Sequence, residues 1–219
     1  MIIVDFDYTL YRTDLLVRDM KEVFRAYGVG EEDFASSYNK SLQWDGAGYG
    51  FAYSFVKHID ILHHLGFVIP AEEAVKKLET CVKKEYLFPD AITFLQFLKS
   101  LGERVILLTA GDQNFQAMKI AATDIAQDVD EAVYRPGNKE NFIREVLATG
   151  EQVVFINDNS KENAIIKKKF PDVKVIGKIN SFKYDKEDLA ENDIPYFSSL
   201  SEIKDYIIQQ KYKTLNPKP

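Results

Sequence analysis

The chain has 219 residues, 46% of them hydrophobic and 28% charged, with a formal net charge of −6. That length suits an ordinary core domain carrying an inserted module, and the composition is normal for a globular protein. The acidic balance argues against a general nucleic-acid binder, and no apolar run reaches the roughly 18 residues needed to span a membrane. Met1 stands directly before the first apolar run, so no cleavable leader is expected. The single cysteine, Cys81, forbids an internal disulfide and suits a reducing cytoplasm. It falls at helical spacing beside Leu78 and Val82 and is expected to pack there.

Ile2-Ile3-Val4 is an apolar, β-branched run without polar alternation, the pattern of a strand buried on both faces. A helical stretch follows from Thr13 to about Phe88. Leu15-Leu16, Met20, Val23-Phe24 and Tyr27 recur at three and four, and Gly28 and Gly30 end that helix. Acids at positions 31–33 favour initiation of a second helix running to about Leu42. A turn-rich break, Trp44-Asp45-Gly46-Ala47-Gly48-Tyr49-Gly50, precedes a third helix with Phe51, Phe55, Ile59 and Leu62 on one face. Pro70 opens a fourth, with Val75, Leu78, Val82 and Tyr86 inward.

After Pro89 the pattern changes to strands separated by helices. Strands are expected at 104–109, 132–134, 153–156 and 173–176, and helices at 91–101, 112–124, 139–149, 160–170 and 200–210. Residues 195–197 add a short edge strand. This alternation means βαβ units: a three-layer α/β fold with a largely parallel sheet, plus an all-helical insert after the first strand. The expected boundaries are 1–13 and 89–212 for the core, 14–88 for the insert and 213–219 for a flexible tail.

The first strand runs into Asp5 and Asp7, two carboxylates at i and i+2 of an extended segment, on one side of the chain. Buried like charges are costly unless a cation or a shared proton compensates, so this pair asks for a metal. Three further positions follow strands or open helices. Thr109, before Ala110-Gly111, offers a hydroxyl and nearby backbone N–H groups to a phosphate oxygen. Lys139 opens a helix where a cation opposes the macrodipole, so local stability does not explain it. Asp158 and Glu162 are four apart, a spacing that would place them on one helix face.

Asp5-Phe6-Asp7-Tyr8-Thr9-Leu10 resembles the first motif, DxDxT, of the haloacid dehalogenase superfamily, whose members are mostly Mg²⁺-dependent phosphatases. Thr109, Lys139 and Asp158 match the second, third and fourth motifs in order. The fourth departs from the usual GDxxxD or DD pattern. Asn157 replaces the glycine, Asn159 the second adjacent acid and Glu162 the downstream aspartate, so Glu162, Asn159 and Asn163 remain rival contacts through water. The resemblance covers essentially the whole chain and implies a Rossmann-like core with a helical C1-type cap.

It also implies the roles. Asp5 is the nucleophile that forms an aspartyl-phosphate, Asp7 the acid and base, and Thr109 and Lys139 the ligands of the phosphoryl oxygens. Mg²⁺ is held by Asp5, the Asp7 carbonyl and Asp158. Ala110, Trp44 and Tyr49 are further candidate substrate contacts, with Asp45 beside them. Tyr8 stands where glycine is common. Arg12 and Arg18 are read as solvated helix residues, and His58, His63 and His64 as surface residues, since no partners complete a zinc site.

The expected working form is a cytoplasmic monomer acting on a small phosphorylated metabolite, without nucleic acid or membrane. A phosphomutase of the β-phosphoglucomutase type would share every core residue. A catalytically silent phosphate-binding member is a third reading. A signalling receiver domain would place its phosphorylated aspartate after the third strand, not the first.

Overall fold

The structure, a computed structural model, describes residues 1–43, 51–179 and 186–215. Six strands, β1 (Ile2–Asp5), β2 (Val105–Ala110), β3 (Glu131–Arg135), β4 (Val154–Asn157), β5 (Lys174–Lys178) and β6 (Tyr196–Phe197), form one sheet. Their order is β3-β2-β1-β4-β5-β6 and each pairing is parallel. The unalternating apolar runs are explained by burial on both faces. Ile2 and Val4 join one apolar cluster with Leu107 and Ile156, while Ile3 joins the other with Ile106 and Phe155.

Between β1 and α5 (Ala91–Ser100) the described residues make four helices: α1 (Thr13–Arg25), α2 (Glu31–Ser41), α3 (Phe55–His64) and α4 (Ala71–Val82). α1 packs on α4 and α2 on α3. Leu16, Met20, Phe24, Phe34, Ile59 and Leu78 belong to the same apolar cluster as Val4 and Leu107, so insert and core share buried surface. The strands of chain that enter and leave the insert are tied together. Arg12 N donates to Tyr86 O at 2.6 Å and Phe88 N to Leu10 O at 2.9 Å. The core continues with α6 (Gln113–Ala121), α7 (Glu140–Leu147), α8 (Ser160–Lys169), α9 (Glu187–Glu191) and α10 (Leu200–Leu215).

Several local expectations need correction. Phe51 is not part of α3, whose N-cap is Ser54, with its side chain accepting from Lys57 N. Phe51 instead bridges to Gly137 on the core, its N–H reaching Gly137 O at 3.3 Å. Tyr86 is buried but lies beyond α4, and Val75 is only partly buried. α10 runs to Leu215, past the expected end at Gln210, and α9 has no counterpart among the expected elements. Cys81 is buried in the insert as expected.

His58 is buried, against the expectation of a surface residue. Ser37 donates its hydroxyl to Asp33 O at 2.7 Å, leaving lone pairs to take the His58 Nε2–H at 2.9 Å. Nδ1 then accepts from the Tyr53 hydroxyl at 3.1 Å. Burial pushes the imidazole down to about 4, so it stays neutral. Periodicity could have found it, because His58 shares the α3 stripe with Phe55, Ile59 and Leu62.

Candidate active site

The order of connection reverses at β1, where open parallel sheets leave a crevice beyond the carboxyl ends of their strands. Register brings the loops to one level there. Asp5 lies opposite Leu108, the residue before Thr109, and Val4 lies opposite Ile156, two before Asp158. Asp5, Asp7, Thr109, Lys139 and Asp158 all line one cavity of about 90 Å³, together with Ala110 and side chains of the insert. Four loops distant in sequence thus converge on the rim.

Lys139 is the N-cap residue of α7, and its buried ammonium joins two carboxylates. Nζ reaches Asp5 Oδ1 at 2.7 Å, Glu162 Oε2 at 3.0 Å and Asn157 Oδ1 at 3.0 Å. These acids answer the helix-terminal cost noted above. Burial works against its charge, but Asp5 and Glu162 outweigh it and hold the lysine above its usual range. Asp5 also accepts from Thr9 Oγ1 at 3.1 Å. Burial nevertheless wins at Asp5 and raises its carboxyl against the pull of Lys139, with Asp7 and Glu162 adding to the rise.

Asp7 is held by partners that sequence reasoning missed. Lys119 Nζ donates to Oδ1 at 2.5 Å and Gln116 Nε2 to Oδ2 at 2.9 Å, while Thr13, the first residue of α1, also donates to Oδ1. Burial alone would raise this carboxyl, but Lys119, Thr13 and Gln116 together hold it below the usual range. Lys119 is almost fully buried, its ammonium within 5.0–5.3 Å of the ring centres of Phe6, Tyr11 and Phe115. One signal was available. Phe115, Gln116, Lys119 and Ile120 recur at helical spacing, which puts two polar side chains on the buried face of α6.

The fourth-motif region divides its work. Asp158 precedes the helix, because Asn159 is the N-cap of α8 and accepts from Glu162 N at 3.1 Å. Asp158 and Glu162 therefore do not share a helix face as their spacing suggested, although both reach the cavity. Glu162 serves Lys139. Asn163 is turned to Asn157, whose main-chain oxygen accepts from it at 2.9 Å. Asn157, which stands for the family's glycine, donates to Glu162 at 3.1 Å and to Asn163 at 3.0 Å.

Thr109 Oγ1 is buried and has no hydrogen-bond partner among the described residues. Gly111 departs from expectation, since its N–H donates to Arg135 O at 3.0 Å and is not offered to a ligand. Ala110 uses its carbonyl to accept from Gln116 at 3.2 Å. Tyr8 has φ +58°, a left-handed conformation that disfavours side chains, which is the physical reason glycine suits this place. Arg12 is not the solvated helix residue expected: it stands just before α1, half-buried, pairing with Asp14 at 2.8 Å and lying over the Phe88 ring, whereas Arg18 is exposed and pairs with Asp19 at 3.0 Å. Trp44, Asp45 and Tyr49 lie outside the described residues.

Among the described residues the cavity lining carries no His or Cys, and its candidate metal ligands are oxygen-bearing residues: Asp5, Asp7, Asp158, Asn159 and Glu162. Among the described residues, no three His, Cys, Asp or Glu side chains form a metal-holding group. Mg²⁺ is commonly bound by one or two carboxylates plus waters and substrate oxygens, so this donor set fits it.

A parallel sheet of this order with acids at its switch point defines an open α/β fold with a candidate site at its carboxyl rim. The family model for haloacid dehalogenase-like hydrolases matches residues 1–165. The chain therefore belongs to the haloacid dehalogenase-like hydrolases. No curated protein sequence matches it.

Solved structures share its fold. A candidate β-phosphoglucomutase from Thermotoga maritima aligns with TM-score 0.68 at 17% identity, covering 95% of this chain and 98% of that one. A predicted phosphoglycolate phosphatase from Haemophilus somnus gives 0.60 at 14%, covering 94% and 97%. The L-2-haloacid dehalogenase of Xanthobacter autotrophicus gives 0.60 at 19%, covering 87% and 80%. At these identities the likeness is one of fold. Among the described residues no helix is long and apolar enough to cross a membrane.

Proposed function

We propose that the chain is a Mg²⁺-dependent phosphatase that hydrolyses a small phosphorylated metabolite through an aspartyl-phosphate on Asp5. The observation that carries this reading is the buried Thr109 hydroxyl, without a partner among the described residues, in the cavity that also holds Lys139 and Asp5. A donor, a cation and a carboxylate nucleophile suit an anion that is attacked at its centre. Asp7 favours phosphate over carbon–halogen chemistry, because the dehalogenase branch lacks that acid.

Asp5 attacks phosphorus as the ester P–O bond breaks, and water then releases phosphate from the aspartyl group. Lys139 orients Asp5, and Thr109 donates to a phosphoryl oxygen. Asp7 is ionised in the arrangement described, ready to take a proton from that water. To protonate the leaving alcohol it must first loosen its hold on Lys119, Gln116 and Thr13. Mg²⁺, bound by Asp5, the Asp7 carbonyl and Asp158, would neutralise the buried acids and the phosphoryl charge.

The working boundaries in this reading are 1–13 and 89–212 for the catalytic core and 14–88 for a cap that chooses the substrate. The enzyme acts as a cytoplasmic monomer. The test is phosphate release from a panel of phosphorylated metabolites with Mg²⁺. Turnover that falls by at least about 10³-fold in Asp5→Asn supports the reading. No turnover by the unaltered protein, or equal turnover by the variant, overturns it. Labelled phosphate that returns to the sugar instead of entering water would mark a mutase.

A further inference from the structure

The two walls of the cavity differ in chemistry. Among the described residues its charge-bearing side chains, Asp5, Asp7, Lys119, Lys139, Asp158 and Glu162, all come from the core. The insert contributes Leu16, Val17 and Met20 from α1, Tyr38 from α2, and Tyr53 ahead of α3. With Thr13 these α1 positions follow i, i+3, i+4 and i+7, one helix face. Thr13 is spent on Asp7, and the remainder of that face is aliphatic. The charged residues of α1, such as Arg18 and Asp19, belong to its other faces and pair with each other.

The aromatic part is anchored to the core. Tyr53 stands 4.9 Å from Phe115 of α6 and 5.3 Å from Tyr38, centre to centre. Its hydroxyl is committed to His58, behind the wall. A carboxylate or polyol pressed against the aliphatic face of α1 gives up its water without finding hydrogen-bond partners on that face, whereas a hydrocarbon or ring gains by leaving water. The cavity of about 90 Å³ is several times the roughly 10–15 Å³ that one water occupies on the same measure. It has room for a small organic group beside a phosphoryl group.

We infer that the site takes phosphate monoesters of small apolar alcohols, selected by the aliphatic face of α1 and the rings of Tyr38 and Tyr53. This rests on the phosphatase reading above. In the reaction the ester P–O bond breaks and the oxygen of water bonds to phosphorus. The alcohol departs with one of the protons of that water.

The test compares benzyl phosphate and hexyl phosphate with glycerol 3-phosphate and phosphoglycolate, all with alkoxide leaving groups of comparable basicity. The expected kcat/KM is at least tenfold higher for the apolar pair. Equal or better turnover of the polar pair overturns the inference while leaving the phosphatase reading intact. Val17→Lys, at a half-buried position on the same face, is expected to reverse the preference between benzyl phosphate and phosphoglycolate; Val17→Ser serves if that variant does not fold. An unchanged preference in a folded variant counts against selection by α1. Binding is measured in parallel with benzylphosphonate and phosphonoacetate, so preference is read even if no ester turns over. Tighter binding of phosphonoacetate, or no binding of benzylphosphonate at millimolar concentration, overturns the inference.

Discussion

At the carboxyl rim of the sheet, burial is used to hold charges; inside the helical insert it is used to suppress one. Lys139 sits between Asp5 and Glu162, and Lys119 faces Asp7, so each buried ion meets an opposite one. His58 meets only a hydroxyl on each side and stays neutral. The same low-dielectric interior therefore gives opposite results according to what is placed beside the titrating group. The rim gathers paired ions around one cavity. Among the described residues, the insert lines the same cavity with aliphatic and aromatic side chains and adds no ion to it.

The sharpest way to break the contrast is Lys139→Met. It leaves two buried carboxyls facing each other without their common cation, and we expect a loss of about 3–5 kcal/mol in urea unfolding with EDTA present. The loss should shrink near pH 5, as the carboxyls take up protons. A stability equal to that of the unaltered protein would show that the pairing is not what makes burial tolerable.

The insert is tested through His58. Its unfolded form takes a proton near the ordinary value of 6.5 and its folded form only at about 4. The unfolded state thus binds more protons between those values, so stability is full above pH 6.5 and falls as pH drops toward 4. The expected contribution is up to about 3 kcal/mol. His58→Phe should lack this part of the pH dependence, whatever its stability at pH 7. A slope that persists undiminished in the variant would assign the effect to other groups.

Lys119→Met keeps the packing against Phe6, Tyr11 and Phe115 but removes the charge from Asp7. We expect kcat to fall about ten- to a hundredfold, with KM changing less, since acid–base catalysis contributes on that order or more. The acid limb of the rate profile should move to higher pH, because Asp7 loses the strongest influence lowering its carboxyl. Lys119→Arg should recover part of the rate. A fall confined to KM would assign the lysine to substrate binding.

The smallest effect separates two helix caps. Ser54→Ala in the insert and Asn159→Ala at the rim each remove an N-cap acceptor, and each should cost about 1 kcal/mol. Only Asn159→Ala should also slow phosphate release, because its partner N–H belongs to Glu162, which holds Lys139. Equal turnover in the two variants would mean that the cap does not transmit order to the site.

Much of this was legible in the chain itself. The apolar runs predicted a parallel sheet, and four helices were expected ahead of the returning core. Asp5, Asp7, Thr109, Lys139 and Asp158 stood out because each follows a strand or opens a helix. Some residues were misread because their partners are remote, others because a local cap was not foreseen. Nothing near Lys119 announces that its charge meets Asp7. Likewise, the spacing of Asp158 and Glu162 could not reveal that Asn159 starts the helix between them.

By itself, the sequence determined the alternation of elements, the family motifs and the acids at the end of the first strand. These depend on side-chain periodicity and on neighbours a few residues away. Only the tertiary structure decided which buried groups keep their charge and which surface covers the site. Those outcomes depend on solvent exclusion and on contacts between residues such as Asp7 and Lys119, which lie 112 positions apart.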